Sequence, residues 1–205
     1  MEANHIILRG RAVESPVFSH ESHGKRFFRQ AMEVPRLSGT MDTLNLLLPE
    51  SLTGSLPAGE LREITGAVRS FNNRSGVGSR LVITVLVQSV LPCALPPDNL
   101  LTLTGVICKP PVFRRTPLGR EICDLMLAVP RRYGRSDYLP CIAWGLTAAR
   151  AAGLEVGDRV GVEGRLQSRP YTKTEGDRQI DKVAYEVSIT TLELLSPIPS
   201  IPTIQ

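Results

Sequence analysis

The chain has 205 residues, 42% of them hydrophobic, with 24 basic against 20 acidic side chains and a formal charge of +4. That composition supports a buried core and excludes wholesale disorder; so mild a basic excess permits an anionic partner without demanding one. No stretch nears the roughly 20 apolar residues of a membrane-crossing helix, and MEANHIILRG lacks the pattern of a secretory signal, so a cytoplasmic, reducing location is expected.

Asn4 opens an apolar strand, NHIILRGRAVESPVF, and a matching text, NLLTLTGVICKPPVF, begins at Asn99. The offset of 95 then holds without a gap, pairing Gly10 with Gly105, Gly24 with Gly119, Val34-Pro35-Arg36 with Val129-Pro130-Arg131, and Asp42 with Asp137. After a length change, EITGAVRS (63–70) stands beside VEGRLQS (162–168). An ordered set of this kind is an internal duplication. LPCALPPD, from Leu91 to Asp98, carries three prolines and reads as a short, stiff connector.

In the second copy, strands are expected over Leu100 to Cys108, Glu121 to Val129, Tyr138 to Trp144, Asp158 to Ser168 and Lys182 to Leu195. Gly105, Gly161 and Gly164 mark the bends that a small closed barrel needs. LTAARAAGLEVG between the third and fourth strands reads as a short helix stopped at Gly153, with an apolar face to plug one barrel end. In the first copy the equivalent segment, PESLTGSLPAG, is a turn at most. Five strands with a helix between the third and fourth is the order of an OB-fold, a Greek-key barrel. The expected architecture is all-β: residues 1–91 as a divergent OB-fold, 98–195 as a second, and 196–205 as an extended tail. Each barrel is expected to form its own sheet, and neither is expected to be helical.

Cys93, Cys108, Cys123 and Cys141 form no C-x-x-C pair and lie far from any His, so no metal site is signalled, and reduced core thiols are the expectation. His5, His20 and His23 have no Ser, Cys or carboxylate constellation at a recognisable spacing. The chain is therefore expected to be neither an enzyme nor dependent on a cofactor. Of the 24 basic residues, 20 are Arg, whose planar fork grips phosphate and lies flat on bases. The excess over acidic residues is +1 up to Asp98 and +3 beyond it.

The second copy resembles the bacterial single-stranded DNA-binding protein family. The resemblance runs through the opening Asn99 strand, the turn Thr116-Pro117-Leu118-Gly119, VPRRY, CIAWG and VEGRL, five separated motifs in order. The first copy resembles the family more weakly. Stacking on aromatics at matching positions is what the resemblance implies, here on Tyr133, Tyr138, Trp144 and Tyr171. Aromatic platforms accept any base, each stacked base contributing about 1–3 kcal/mol. Arg131 and Arg169 beside these platforms, with Arg132, Lys173 and Arg115, are the expected phosphate contacts. Tyr185 is expected to pack against the core.

The first copy departs from this pattern. Thr43, Pro49 and Asn73 stand opposite Tyr138, Trp144 and Tyr171. Phe18, Phe27 and Phe28 fall near the second strand, where core packing is expected, so weak binding is expected of this copy, through Arg36, Arg69 and Arg74. The family's acidic tail has no counterpart in SPIPSIPTIQ, which leaves recruitment of partners by that route without support. The resemblance further implies self-association, here a dimer bringing four barrels together, and a nucleoid-associated place in replication, recombination or repair. RNA is the other polymer such platforms accept. The rival reading is a protein-interaction scaffold in a replication or mobile-element assembly, because OB-folds host many functions.

Overall fold

β1 (Asn4–Ala12) alternates buried and half-buried residues, sending Ile6, Leu8 and Ala12 into a core and leaving the other face to a neighbouring strand. The computed structural model of the chain describes residues 3–73, 80–175 and 178–195, the side chains of 173, 175 and 178 excepted. Eleven further strands follow: β2 (Val17–Ser22), β3 (Lys25–Pro35), β4 (Met41–Pro49), β5 (Leu61–Asn72), β6 (Leu81–Pro92), β7 (Asp98–Ile107), β8 (Val112–Arg115), β9 (Glu121–Pro130), β10 (Ser136–Trp144), β11 (Arg159–Glu175) and β12 (Arg178–Leu194). A single α-helix among the described residues, α1 (Gly145–Ala151), follows β10 and buries Ala148 and Ala151 against the second barrel. In its place after β4 the first barrel has one 3-10 turn, Glu50–Ser55.

The pairing order is β2-β3-β4-β6-β5-β1, then β7-β11-β12-β10-β9-β8. The first barrel closes where β1 returns to β3 (Arg11 opposite Glu33), and β4 meets β6 in parallel. The second closes in the same way, through β7 on β9 and β10 beside β12. Closure explains two glycines and their counterparts. A Cβ on Gly10 would lie 2.3 Å from the Glu33 carbonyl oxygen, and one on Gly105 would lie 3.0 Å from that of Ala128, because β1 and β7 cross their partners there. At Gly66 and Gly164 the register slips, and a Cβ would meet a facing carbonyl at 2.3 and 2.2 Å.

Two differences from the sequence expectation stand out. Each copy has a sixth short strand, β2 or β8, forming a hairpin with the strand after it. And the two barrels share one 12-stranded ladder, because β1 and β7 pair antiparallel with Ile6 opposite Leu101. Asn4 lies opposite Leu103 and Leu8 opposite Asn99, so the seam relates the copies by a pseudo-two-fold axis through the Ile6–Leu101 rung.

Paired polar groups hold the seam. The buried Asp42 carboxylate accepts from Arg36 Nε (2.8 Å), Arg36 Nη2 (2.6 Å) and the Ser168 amide of the other barrel (2.7 Å). Arg36 also donates to the Ser168 carbonyl at 2.9 Å, and Ser168 Oγ accepts the Thr43 amide. The counterpart is complete: Asp137 accepts from Arg131, from the Ser70 amide and from Arg69, Arg131 donates to the Ser70 carbonyl, and Ser70 Oγ accepts the Tyr138 amide. Asn4 and Asn99 also play matched roles. Each side-chain amide donates to and accepts from one backbone residue, Val68 or Leu166, extending the ladder past its last rung.

Candidate nucleic-acid interface

Along β10, Asp137, Leu139, Cys141 and Ala143 point into the barrel, which turns Tyr138 and Trp144 outward on one face. They stand six positions apart along the strand, about 20 Å. Tyr138 is 52% exposed and Trp144 39%, so neither belongs to the core. Trp144 lines a cleft of about 640 Å³ with Ile122, Ile142, Arg114, Arg120, Arg165 and Arg169, and Arg36 and Thr40 of the first barrel complete its wall. Beyond it on β11, Tyr171 is 37% exposed and lies under the Arg169 guanidinium, 5.9 Å from ring centre to Cζ. This places a π-face and a cation side by side.

Tyr133 is elsewhere. It sits between β9 and β10 with φ of 63° and 97% exposure, and it lines a separate cleft of about 1420 Å³ with Arg132, Arg135, Arg69 and Lys25. The duplication relates the two clefts. Arg36 and Thr40 in one correspond to Arg131 and Arg135 in the other, and Arg120 corresponds to Lys25. Each cleft is built from strands of one barrel and a loop of the other.

The arginines differ in how free they are. Arg131 gives its guanidinium to Asp137 and the Ser70 carbonyl, so the structure places it in the seam. Arg115 pairs with Glu121 at 2.8 Å, and Arg169 approaches Glu186 at 3.5 Å. Arg114 is bidentate on Asp124, and that hydrogen bonding raises its pKa further above the ordinary arginine value, as Asp42 does for Arg36. Among the described residues no ion pair engages Arg120, Arg132 or Arg135. The Lys173 side chain and Arg74 lie outside the described residues.

Arg165 was not singled out from sequence. It lines the Trp144 cleft, its Nε is buried without a hydrogen-bond partner among the described residues, and its Nη2 makes a long bond, 3.4 Å, to Gln167 Oε1. The signal was available: Arg165, Gln167, Arg169 and Tyr171 alternate along one strand, a period-two polar row.

The first barrel brings a correction. Phe18, expected in the core, is 47% exposed, and Phe27 and Phe28 are only half-buried. The β2–β3 hairpin carries Lys25–Arg29 beyond the barrel, and regular burial on β3 starts only at Gln30. There Phe18 meets Phe28 edge-on at 5.8 Å, and Arg26 lies over both rings. Tyr185, as expected, packs partly buried against the core, where burial raises its pKa. Burial also pushes up the thiols of Cys108, Cys123 and Cys141. No cluster of three or more His, Cys, Asp or Glu able to hold a metal occurs among the described residues, and no helix there is long and apolar enough to cross a membrane.

Residues 98–195 match the model of the Single-strand binding protein family. Single-stranded DNA-binding protein B of Bacillus subtilis is 32% identical over 108 residues, covering 49% of this chain and 93% of that protein. Single-stranded DNA-binding protein 2 of Listeria innocua is 32% identical over 106 residues. That match takes in 48% of this chain but 65% of the Listeria protein, so the chain spans just under two thirds of that relative. The wild-type single-stranded DNA binding protein from Thermus aquaticus superposes with a TM-score of 0.78 at 21% identity, over 97% of this chain and 95% of that one. That likeness extends the fold to the first copy, which the family model does not reach. The chain therefore belongs to the single-strand binding protein family.

Proposed function

We propose that the chain binds single-stranded DNA without strong sequence preference and covers strands exposed in replication, recombination or repair. The observation that carries this reading is the outward row of Tyr138 and Trp144 beside a cleft walled by Arg114, Arg120, Arg165 and Arg169. Aromatic faces stack bases of any identity, and arginines positioned beside them hold the backbone. A duplex hides its base faces, so the platforms have nothing to stack on there. The names of the related proteins support the same ligand. In this reading Trp144, Tyr138 and Tyr171 stack bases, while Arg120, Arg165 and Arg169 meet phosphates. Tyr133, Arg132 and Arg135 serve the second cleft. The chain acts as a binder and performs no covalent chemistry. Self-association into a dimer of chains, four barrels together, belongs to the same proposal.

The test is a titration of the full chain with mixed-sequence single-stranded DNA, the matching duplex and the matching single-stranded RNA at two stated salt concentrations. Tight, salt-dependent binding of single-stranded DNA with at least tenfold weaker duplex binding is expected. Equal affinity for duplex would overturn the stacking reading. Sedimentation at micromolar concentration tests the dimer, and a monomer with and without DNA would refute it.

A further inference from the structure

The cleft beside Trp144 is lined by five arginines and a single carboxylate among the described residues, that of Glu186. On β12, Glu186 stands opposite Gln167 of β11, and so lies diagonal to Arg165 two residues before it and Arg169 two residues after. Its side chain is 12% exposed against 56% for Arg169, which sets the acid into the cleft. Gln167 Nε2 donates to Glu186 Oε1 at 2.8 Å, while Gln167 Oε1 accepts the long bond from Arg165 Nη2. Arg169 Nε approaches the same carboxylate oxygen at 3.5 Å. One acid thus reaches both arginines of the row, Arg169 directly and Arg165 through an amide.

The acid is tied to those arginines. The register matches Glu186 to Thr84 of the first barrel, and the shared bulge matches Arg165 and Arg169 to Ala67 and Phe71. Where the two guanidiniums are missing, the carboxylate is missing too. Arg36 and Arg114 have acids of their own: hydrogen bonding to Asp42 and Asp124 is the chief cause of their raised pKa values, and the Glu186 charge adds to it. Arg165 and Arg169 have no such partner. Arg165 Nε is buried without a hydrogen-bond partner among the described residues, and Glu186 is the one acid there that pairs with Arg169. A phosphate arriving at either guanidinium therefore meets a carboxylate already beside it, and two anions at such short range repel.

We propose that Glu186 is an electrostatic brake on strand binding: it occupies Arg169 and, through Gln167, Arg165 in the free protein, competes with backbone phosphate for them, and speeds release of a bound strand. The inference rests on the single-strand-binding reading above and names a residue of that cleft that opposes affinity. The same contacts hold the arginine row aligned along β11 while the cleft is empty, so Glu186 acts through other side chains as a positioning residue.

The experiment uses the full chain and a labelled mixed-sequence oligonucleotide of about 8 nucleotides, within the span of one OB-fold. Glu186→Gln removes the charge and keeps an acceptor for Gln167 Nε2. It is expected to tighten binding roughly three- to fivefold, the worth of a partly exposed ion pair that no longer competes, chiefly through slower dissociation in stopped flow. The gain is expected to shrink as salt rises, steepening the plot of log affinity against log salt by up to about 0.7, one further phosphate contact on a single strand. A change that merely loosened the barrel would not steepen that slope. Glu186→Thr, the side chain of the matched position in the first barrel, is expected to behave alike, and it serves as the test should circular dichroism show the Gln variant misfolded. Glu193→Gln makes the same charge change at an exposed position of β12 outside the cleft, and is expected to stay within twofold of the parent. Unchanged or weaker binding by the folded Glu186 variants overturns the proposal. Equal tightening by Glu193→Gln also overturns it, since net charge would then account for the effect. If the parent chain does not bind the single strand, the broader reading falls and the brake with it; a parent that binds while neither Glu186 variant tightens sinks the brake alone.

Discussion

Arg131 and Arg132 are neighbours in the chain with different work. Arg131 is bound into the seam through Asp137 and Ser70, whereas Arg132 lines an open cleft with no ion pair among the described residues. Asp137→Ala would strand two guanidiniums and the Ser70 amide, and breaking a buried pair of this kind costs about 3–5 kcal/mol. Urea denaturation of the variant should show that loss, and an unchanged midpoint would contradict the latch. Arg132→Ala should keep the midpoint and lower the slope of log affinity against log salt by about 0.7, one phosphate contact on a single strand. Sequence adjacency to Tyr133 hid this division, because Ser70 lies 61 positions from Arg131. The repeated spacing from Arg36 to Asp42 and from Arg131 to Asp137 was nonetheless present in both copies. The thiols follow burial. Cys141 and Cys123 are buried with raised pKa values, while Cys93 and Cys108 are half-buried. Brief treatment with an alkylating reagent at pH 8 should therefore leave Cys123 and Cys141 unmodified until urea is added. Their rapid labelling in the native protein would show that the barrel opens.

Strand crossings and hairpins explain which elements were legible. The period-two apolar rows of β1 and β7 were readable because one face of each is buried in a barrel. The glycines inside them were readable as bends, though what they yield to, the facing carbonyls of Glu33 and Ala128, emerges only when the barrel closes. Gly10→Ala drives a methyl group onto that carbonyl and should cost about 1–3 kcal/mol, visible as a lower melting temperature in calorimetry. β2 and β8 escaped notice because they are short, follow prolines and pair only along one edge. Missing them misplaced Phe18, Phe27 and Phe28, whose apolar character suggested a core that this hairpin does not reach. β11 and β12 run 17 residues each against 12 in β5 and β6. Their extra length carries Tyr171, which explains why the matching position in the first copy, Asn73, falls past the end of its strand.

The whole molecule is a pseudo-symmetric pair made covalent. One register relates both barrels across β1 and β7, and each latch uses an Asp and Arg from one copy and a Ser from the other. The duplication itself was plain in the sequence; the fused ladder was not, because strand order within a copy says nothing of which edge is left to pair. Residues 98–195 alone would expose the β7 edge and should pair with a second copy through Leu101, with Asp137 of each meeting Ser168 of the other. Sedimentation should find that fragment dimeric, and a folded monomer would contradict the isologous seam. Since the sequence contains a single tryptophan, at 144, the protein carries its own reporter of the claim on which the functional account depends. Titration of the full chain with single-stranded oligonucleotide, followed by intrinsic tryptophan fluorescence, is expected to quench Trp144 in step with binding, while duplex leaves it unchanged. Saturating binding of the single strand with no change at Trp144 would contradict base stacking in that cleft.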